Sequence, residues 1–217
     1  MFRQVFDTNN LIWRLVARCV DFIGLGLFWL LLCIPIVTIG PATAAMYYTV
    51  VKVFRQGESE GFRTMWKQFR SNLKTGCIAT LICLPFVLVF AYFYSVMDHF
   101  KAMSTAATFM FVAYWIALLF PAGVLCWLFP VMARFEGGVK DCFRTAFQLS
   151  MRHLPSTFIL VLLNMELIIW TVEKWWPVFF APVLGAFLSS LFLEKIFPKY
   201  LTEEETAVLE GRDLDEE

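Results

Sequence analysis

The chain is poor in charge. Only 17% of its 217 residues are Asp, Glu, Lys or Arg, where soluble domains carry roughly 25%. It has only two histidines, His99 and His153; they fall at opposite edges of the apolar runs described below and cannot share a metal. Its six cysteines (Cys19, Cys33, Cys77, Cys83, Cys126 and Cys142) make no CxxC and no Cys/His spacing of a zinc site. They read as reduced thiols filling apolar space. Walker A, GxSxG and HExxH motifs are missing. Paired carboxylates occur at Glu58/Glu60 and at 203–205, on polar segments that imply no pocket. The expectation is a protein that is not an enzyme and holds no metal or cofactor. The net charge is zero and the basic residues edge apolar runs instead of forming a patch, so nucleic acid is not an expected partner.

What the chain has is apolar length. Hydrophobic residues make up 59% of it, with 24 Phe and 8 Trp, and the mean hydropathy is +0.68. Six runs suit a bilayer: residues 20–38, 41–54, 76–96, 106–132, 157–172 and 177–197. The expected fold is an all-α membrane protein, a six-span helical bundle. Its second span is short: 14 residues rise about 21 Å, against a hydrocarbon core of about 30 Å. Ala42-Thr43-Ala44 resembles a signal-peptidase site, but the run before it exceeds the usual ~7–15 residues of a signal peptide, and more spans follow. A retained first helix is the preferred reading.

Charge sidedness gives orientation. With six crossings and a cytoplasmic N-terminus, sixteen of the 18 Lys and Arg fall inside and only Lys101 and Lys174 fall outside, as the positive-inside rule expects. If residues 41–54 did not cross, Arg3, Arg14 and Arg18 would move outside and weaken the asymmetry. Both termini are therefore expected in the cytoplasm. Residues 1–18 read as a short amphipathic surface helix with a candidate N-cap at Thr8-Asn9-Asn10.

The chain also repeats itself. At an offset of 81, Phe54 meets Phe135, Gly57 meets Gly138, Phe62-Arg63-Thr64 meets Phe143-Arg144-Thr145, Trp66 meets Phe147 and Leu73 meets Leu154. With one gap, Pro41-Ala42 meets Pro121-Ala122. Each unit reads as an inbound helix, a glycine turn, an amphipathic cytoplasmic elbow and an outbound helix, in the same orientation. Phe62, Met65, Trp66, Phe69 and Leu73 make one helical stripe; Val139, Phe143, Ala146, Phe147 and Leu154 make the other. Residues 1–201 are thus one integral membrane domain, with repeats at about 41–97 and 121–178. Residues 202–217 form an acidic cytoplasmic tail.

The run Pro35-Ile36-Val37-Thr38-Ile39-Gly40-Pro41-Ala42-Thr43-Ala44-Ala45 carries a resemblance. With the short helix after it and the FRT elbow, it resembles the YesL-like family of bacterial integral membrane proteins, a domain of unknown function. The resemblance covers most of the chain. Such proteins are usually encoded beside carbohydrate ABC importers, so it implies a bacterial cytoplasmic membrane, a role near sugar uptake, and importer permease or ATPase subunits as partners. It supplies no catalytic residue.

Four groups of residues are candidates for function or for shape. The elbow residues Phe62, Arg63, Thr64, Trp66, Phe143, Arg144, Thr145 and Phe147 suit a docking surface, with the arginines pairing partner carboxylates or lipid phosphates. The plain alternative is that they cap helices and hold membrane lipids. Pro35, Thr38, Gly40 and Pro41 form a structural turn between the first two spans. Asn164 and Glu166 stand inside the fifth span, where a carboxylate binds a proton, contacts a neighbouring subunit or is hydrogen-bonded within the bundle. Trp29, Trp115, Trp127, Trp170, Trp175 and Trp176 suit sugar stacking or, preferably, an interfacial aromatic belt. The function expected is that of a non-catalytic accessory subunit or regulator of a carbohydrate (oligosaccharide) ABC importer. The alternative is a small oligomeric secondary transporter or channel.

Overall fold

The computed structural model describes residues 11–57, 60–100, 105–135 and 137–200. The Thr8-Asn9-Asn10 cap, Glu58, Lys101 and the acidic tail lie outside the described residues. Among the described residues there is no strand, and the α-helices are α1 (Leu11–Leu32), α2 (Ile39–Val50), α3 (Gly61–Phe100), α4 (Thr105–Arg134), α5 (Val139–Arg152), α6 (Leu154–Lys174) and α7 (Ala181–Leu193). Four stretches are long and apolar enough to cross a membrane: Ile36–Arg55, Gly61–Val96, Thr108–Arg134 and Leu154–Lys174. The architecture is that of a multi-pass membrane protein.

The second run, short on a count of residues, is lengthened by its ends. A 3-10 turn at Ile36–Thr38 leads into α2, and a π-turn at Val51–Arg55 continues it. The shorter apolar helices are instead Val20–Leu32, within α1, and Ala181–Leu193.

α2 is the central helix. Gly40, Pro41, Ala42, Ala44, Ala45, Met46, Tyr47, Thr49 and Val50 are all buried. Its small residues let neighbours approach closely. Gly40 and Gly76 meet where α2 crosses α3: a Cβ on Gly76 would lie 2.7 Å from the Pro41 ring. The Thr80 hydroxyl accepts the Gly40 amide at 3.0 Å and donates to the Gly76 carbonyl at 2.8 Å. One core cluster gathers Tyr47, Trp127, Leu128, Leu149, Leu160, Leu193 and Phe197; a second gathers Leu25, Met46, Val50, Met65, Phe69 and Val183. α2 contributes to both.

The first elbow is not a separate helix. Residues 62–73 are the opening turns of α3, a single 40-residue helix about 60 Å long. The second elbow is α5, and a break at His153 (φ −121°, ψ 51°) parts it from α6. Pro155 explains the difference. It stands 81 positions after Lys74; it lacks the amide that would continue the helix, and its ring disfavours helical backbone just before it. Beyond the elbows, α3 and the first half of α4 pack as a hairpin. Tyr94 meets Phe111 and Trp115, and Tyr114 donates to the Phe90 carbonyl at 2.5 Å. Phe86, Tyr92, Phe109, Met110 and Ile116 face outward along it, as suits a lipid-facing surface.

Candidate functional site

The elbows present aromatic rings beside arginines. Phe62, Trp66 and Phe147 are exposed. Each also has a ring neighbour: Phe62 meets Phe28 at 5.8 Å, Trp66 stacks on Phe69 at 5.8 Å, and Phe147 meets Phe120 at 5.7 Å. The Arg70 guanidinium lies 5.0 Å over the Trp66 ring. Arg63 and Arg144 are exposed. Arg63 donates to Glu60 at 2.9 Å, an exposed pair of little energetic weight. Thr64 and Thr145 are half-buried. Phe143 turns inward against the first core cluster. Next to it, burial pushes the Cys142 thiol above its ordinary range, and the Asp141 charge adds to the shift.

At the turn between α1 and α2, the Thr38 hydroxyl lies 2.6 Å from the carbonyl oxygens of both Leu32 and Pro35. It thereby serves carbonyls that the end of α1 leaves without helical partners. Pro35 is exposed, while Gly40 and Pro41 are buried against α3.

Asn164 and Glu166 do not share a face. Two steps along a helix turn a side chain to the far side. The Asn164 amide donates to the Leu160 carbonyl at 2.8 Å, and its side chain borders a partly open cavity. Glu166 is exposed on the outer face of α6.

That cavity measures about 440 Å³ and lies among α1, α2, α4, α6 and α7. Trp29, Met46, Tyr47, Phe129, Leu167 and Pro182 give it an apolar wall, interrupted by Thr43, Asn164, Thr171 and Ser189. The volume suits a small molecule. Its lining includes no ionised side chain, which suits an apolar occupant better than a sugar or an ion.

A buried ion pair adjoins the cavity through Tyr47. Arg134, at the end of α4, donates through Nε to Glu194 Oε1 at 2.9 Å. Its Nη2 makes an ionic contact with Oε2 at 2.7 Å, off the line of an ideal hydrogen bond. Tyr47 donates its hydroxyl to the same Oε1 at 2.9 Å. The Arg134 side chain is 1% exposed, so Glu194 supplies the counter-charge for a guanidinium removed from water. Arg55, at the end of the π-turn, donates to the Ser190 carbonyl at 2.7 Å. Two helix ends thus bring arginines to the last turn of α7, where positive charge also complements the helix dipole.

The tryptophans divide. Trp170, Trp176 and Phe180 cluster with ring centroids 5.3–5.8 Å apart at the end of α6. Trp127 is not a belt residue: it is wholly buried and donates to the Thr157 hydroxyl at 2.9 Å. Trp29 borders the cavity. His153 lies 3.1 Å from the Tyr200 hydroxyl and stacks on Trp127.

Residues 22–94 match the family described as "Protein of unknown function, DUF624", which is the YesL-like group. The chain is similar to that family over this stretch, roughly a third of its length. The match takes in the second half of α1, all of α2 and α3 as far as Tyr94. It includes the Gly40–Thr80 crossing and the first elbow; Arg134 and Glu194 lie beyond it. No curated protein and no solved structure matches the chain.

Proposed function

We propose that the chain is a non-catalytic integral membrane subunit or regulator of a carbohydrate (oligosaccharide) ABC importer in a bacterial cytoplasmic membrane. In this reading six helices cross, with both termini and both elbows in the cytoplasm. The four long spans are joined by α1 and α7, whose apolar parts of 13 residues each rise about 20 Å and call for local thinning of the bilayer.

Matched burial supports the duplication. Met65 and Ala146, Phe69 and Ser150, Gly76 and Thr157, Ala79 and Leu160, and Thr80 and Val161 are all buried, each pair 81 positions apart. Arg63 and Arg144, Trp66 and Phe147, and Leu73 and Leu154 are all exposed. The observation that carries the proposal is this outward-facing set of aromatic and arginine side chains, presented twice in the same register. Such a set suits a protein partner. The importer's permease or ATPase is the partner that the family resemblance implies. The transporter or channel alternative draws little support from a cavity whose wall is mostly apolar.

Co-expression with the permease and ATPase of a carbohydrate ABC importer from the same genome tests the reading. Purification in mild detergent should recover the importer subunits with the chain. The double change Arg63→Glu and Arg144→Glu should reduce that recovery at least tenfold, since a charge-assisted pair would be lost and a like charge introduced. A chain that elutes without importer subunits overturns the association. Full recovery with both arginines reversed overturns the elbow as its docking surface.

A further inference from the structure

Glu166 is the thirteenth residue of the 21-residue α6, close to the helix midpoint, and it is exposed. Of the four long spans, α6 is the least buried. Its outward face carries Ile159, Leu162, Glu166, Ile169 and Glu173, all exposed, at alternating steps of three and four residues. That spacing is the seam of two helices packed side by side with a small left-handed crossing. Phe158 and Val172 flank it and are exposed as well.

A carboxyl group in the middle of a lipid-facing helix is costly and needs a partner. Among the described residues Glu166 has no hydrogen bond or ion pair. Its neighbours along the seam, Leu162 and Ile169, offer no side-chain donor. Asn164 faces the opposite side and is bonded to its own helix.

We infer that the outward stripe of α6 is a two-fold interface with a second copy of this chain, centred on Glu166. Copies of a membrane protein insert in one orientation. A two-fold axis along the bilayer normal therefore brings each residue to its own mate at equal depth. Glu166 then meets Glu166 of the second copy, and two carboxyl groups can hydrogen-bond each other, one donating and one accepting. No donor from a different protein is required. A lone polar residue at a seam position also fixes register, which an all-aliphatic stripe would leave free to slide. At the end of the seam Glu173 and Lys174 are adjacent and exposed. Each copy thus brings both signs of charge to the rim, where they can pair crosswise.

Cysteine cross-linking of the full chain in native membranes tests this. In a cysteine-free background, Leu162→Cys and Ile169→Cys should give disulfide-linked dimers on mild oxidation. Val112→Cys, on the exposed face of α4, should not. Adding Glu166→Gln should preserve the yield, because an amide can pair with its own mate. Adding Glu166→Leu should lower it about tenfold, the scale of an interhelical polar contact in lipid. Native mass measurement of the unaltered chain in mild detergent should give a dimer. The inference is overturned if positions 162 and 169 cross-link no better than 112, or if they cross-link to a different protein. Full dimer yield with Glu166→Leu, or a monomeric mass, also overturns it.

Discussion

Arg134 and Glu194, 60 residues apart in the chain, meet at the ends of α4 and α7 with two contacts of 2.7 and 2.9 Å. Neither end of the pair is explained by its own helix. Removing one partner leaves a charge without compensation, and Arg134→Met should destabilise the protein by about 3–5 kcal/mol. Arg134→Met with Glu194→Leu should recover much of that loss, because no buried charge then remains. Tyr47→Phe, which removes only a hydroxyl donor, should cost about 1 kcal/mol. Thermal unfolding in detergent checks all three. Losses that simply add in the double variant would show that the two side chains act independently.

The Gly40–Gly76 crossing leaves no room for a methyl group. A Cβ on Gly40 would fall onto the Thr80 hydroxyl and lie 2.7 Å from the Gly76 carbonyl oxygen. Gly40→Ala should cost about 1–3 kcal/mol, the scale of an overpacked core. Thr80→Ala in the same chain should return part of it by vacating the space. Unfolding midpoints unchanged by Gly40→Ala would mean that α2 and α3 can separate without loss.

Orientation can be read by labelling intact cells with an impermeant thiol reagent, again in a cysteine-free background. Cysteines at Lys67 and Gly138, both exposed, should resist the reagent. One at Trp175, which is 84% exposed at the other end of α6, should react. Ready labelling at Lys67 would reverse the orientation drawn from the basic residues.

Helices were legible in the sequence because apolar runs of 14–27 residues admit little else, and because Pro35 and Gly40 punctuate the first two. The lengthening of the second span was not, since residues 36–38, which hydropathy joins to the first run, instead form the 3-10 turn that leads into α2. The break between α5 and α6 was written in Pro155, but the likeness of the two elbows hides it until Lys74 is set against it. Asn164 and Glu166 are neighbours in sequence, and only helical geometry turns one inward and the other out. The Arg134–Glu194 pair had no local signal at all. Both residues look like ordinary charges at the edge of an apolar run, and their meeting depends on how helices from different parts of the chain are arranged.

Phe197 sets its ring against both Tyr47 and Trp127, with centroids 6.5 and 6.1 Å away. Those two aromatics stand 80 positions apart, the offset that aligns Pro41 with Pro121. Phe197 opens a short 3-10 turn that follows α7. During synthesis the helices that contribute Tyr47 and Trp127 leave the ribosome well before it does. Until it seats, Tyr47 and Trp127 lack this shared ring contact. Completion of the bundle is thus tied to a residue made late, so a translation product halted before Phe197 would carry an open interior into the membrane, where quality-control proteases could distinguish it from the finished protein.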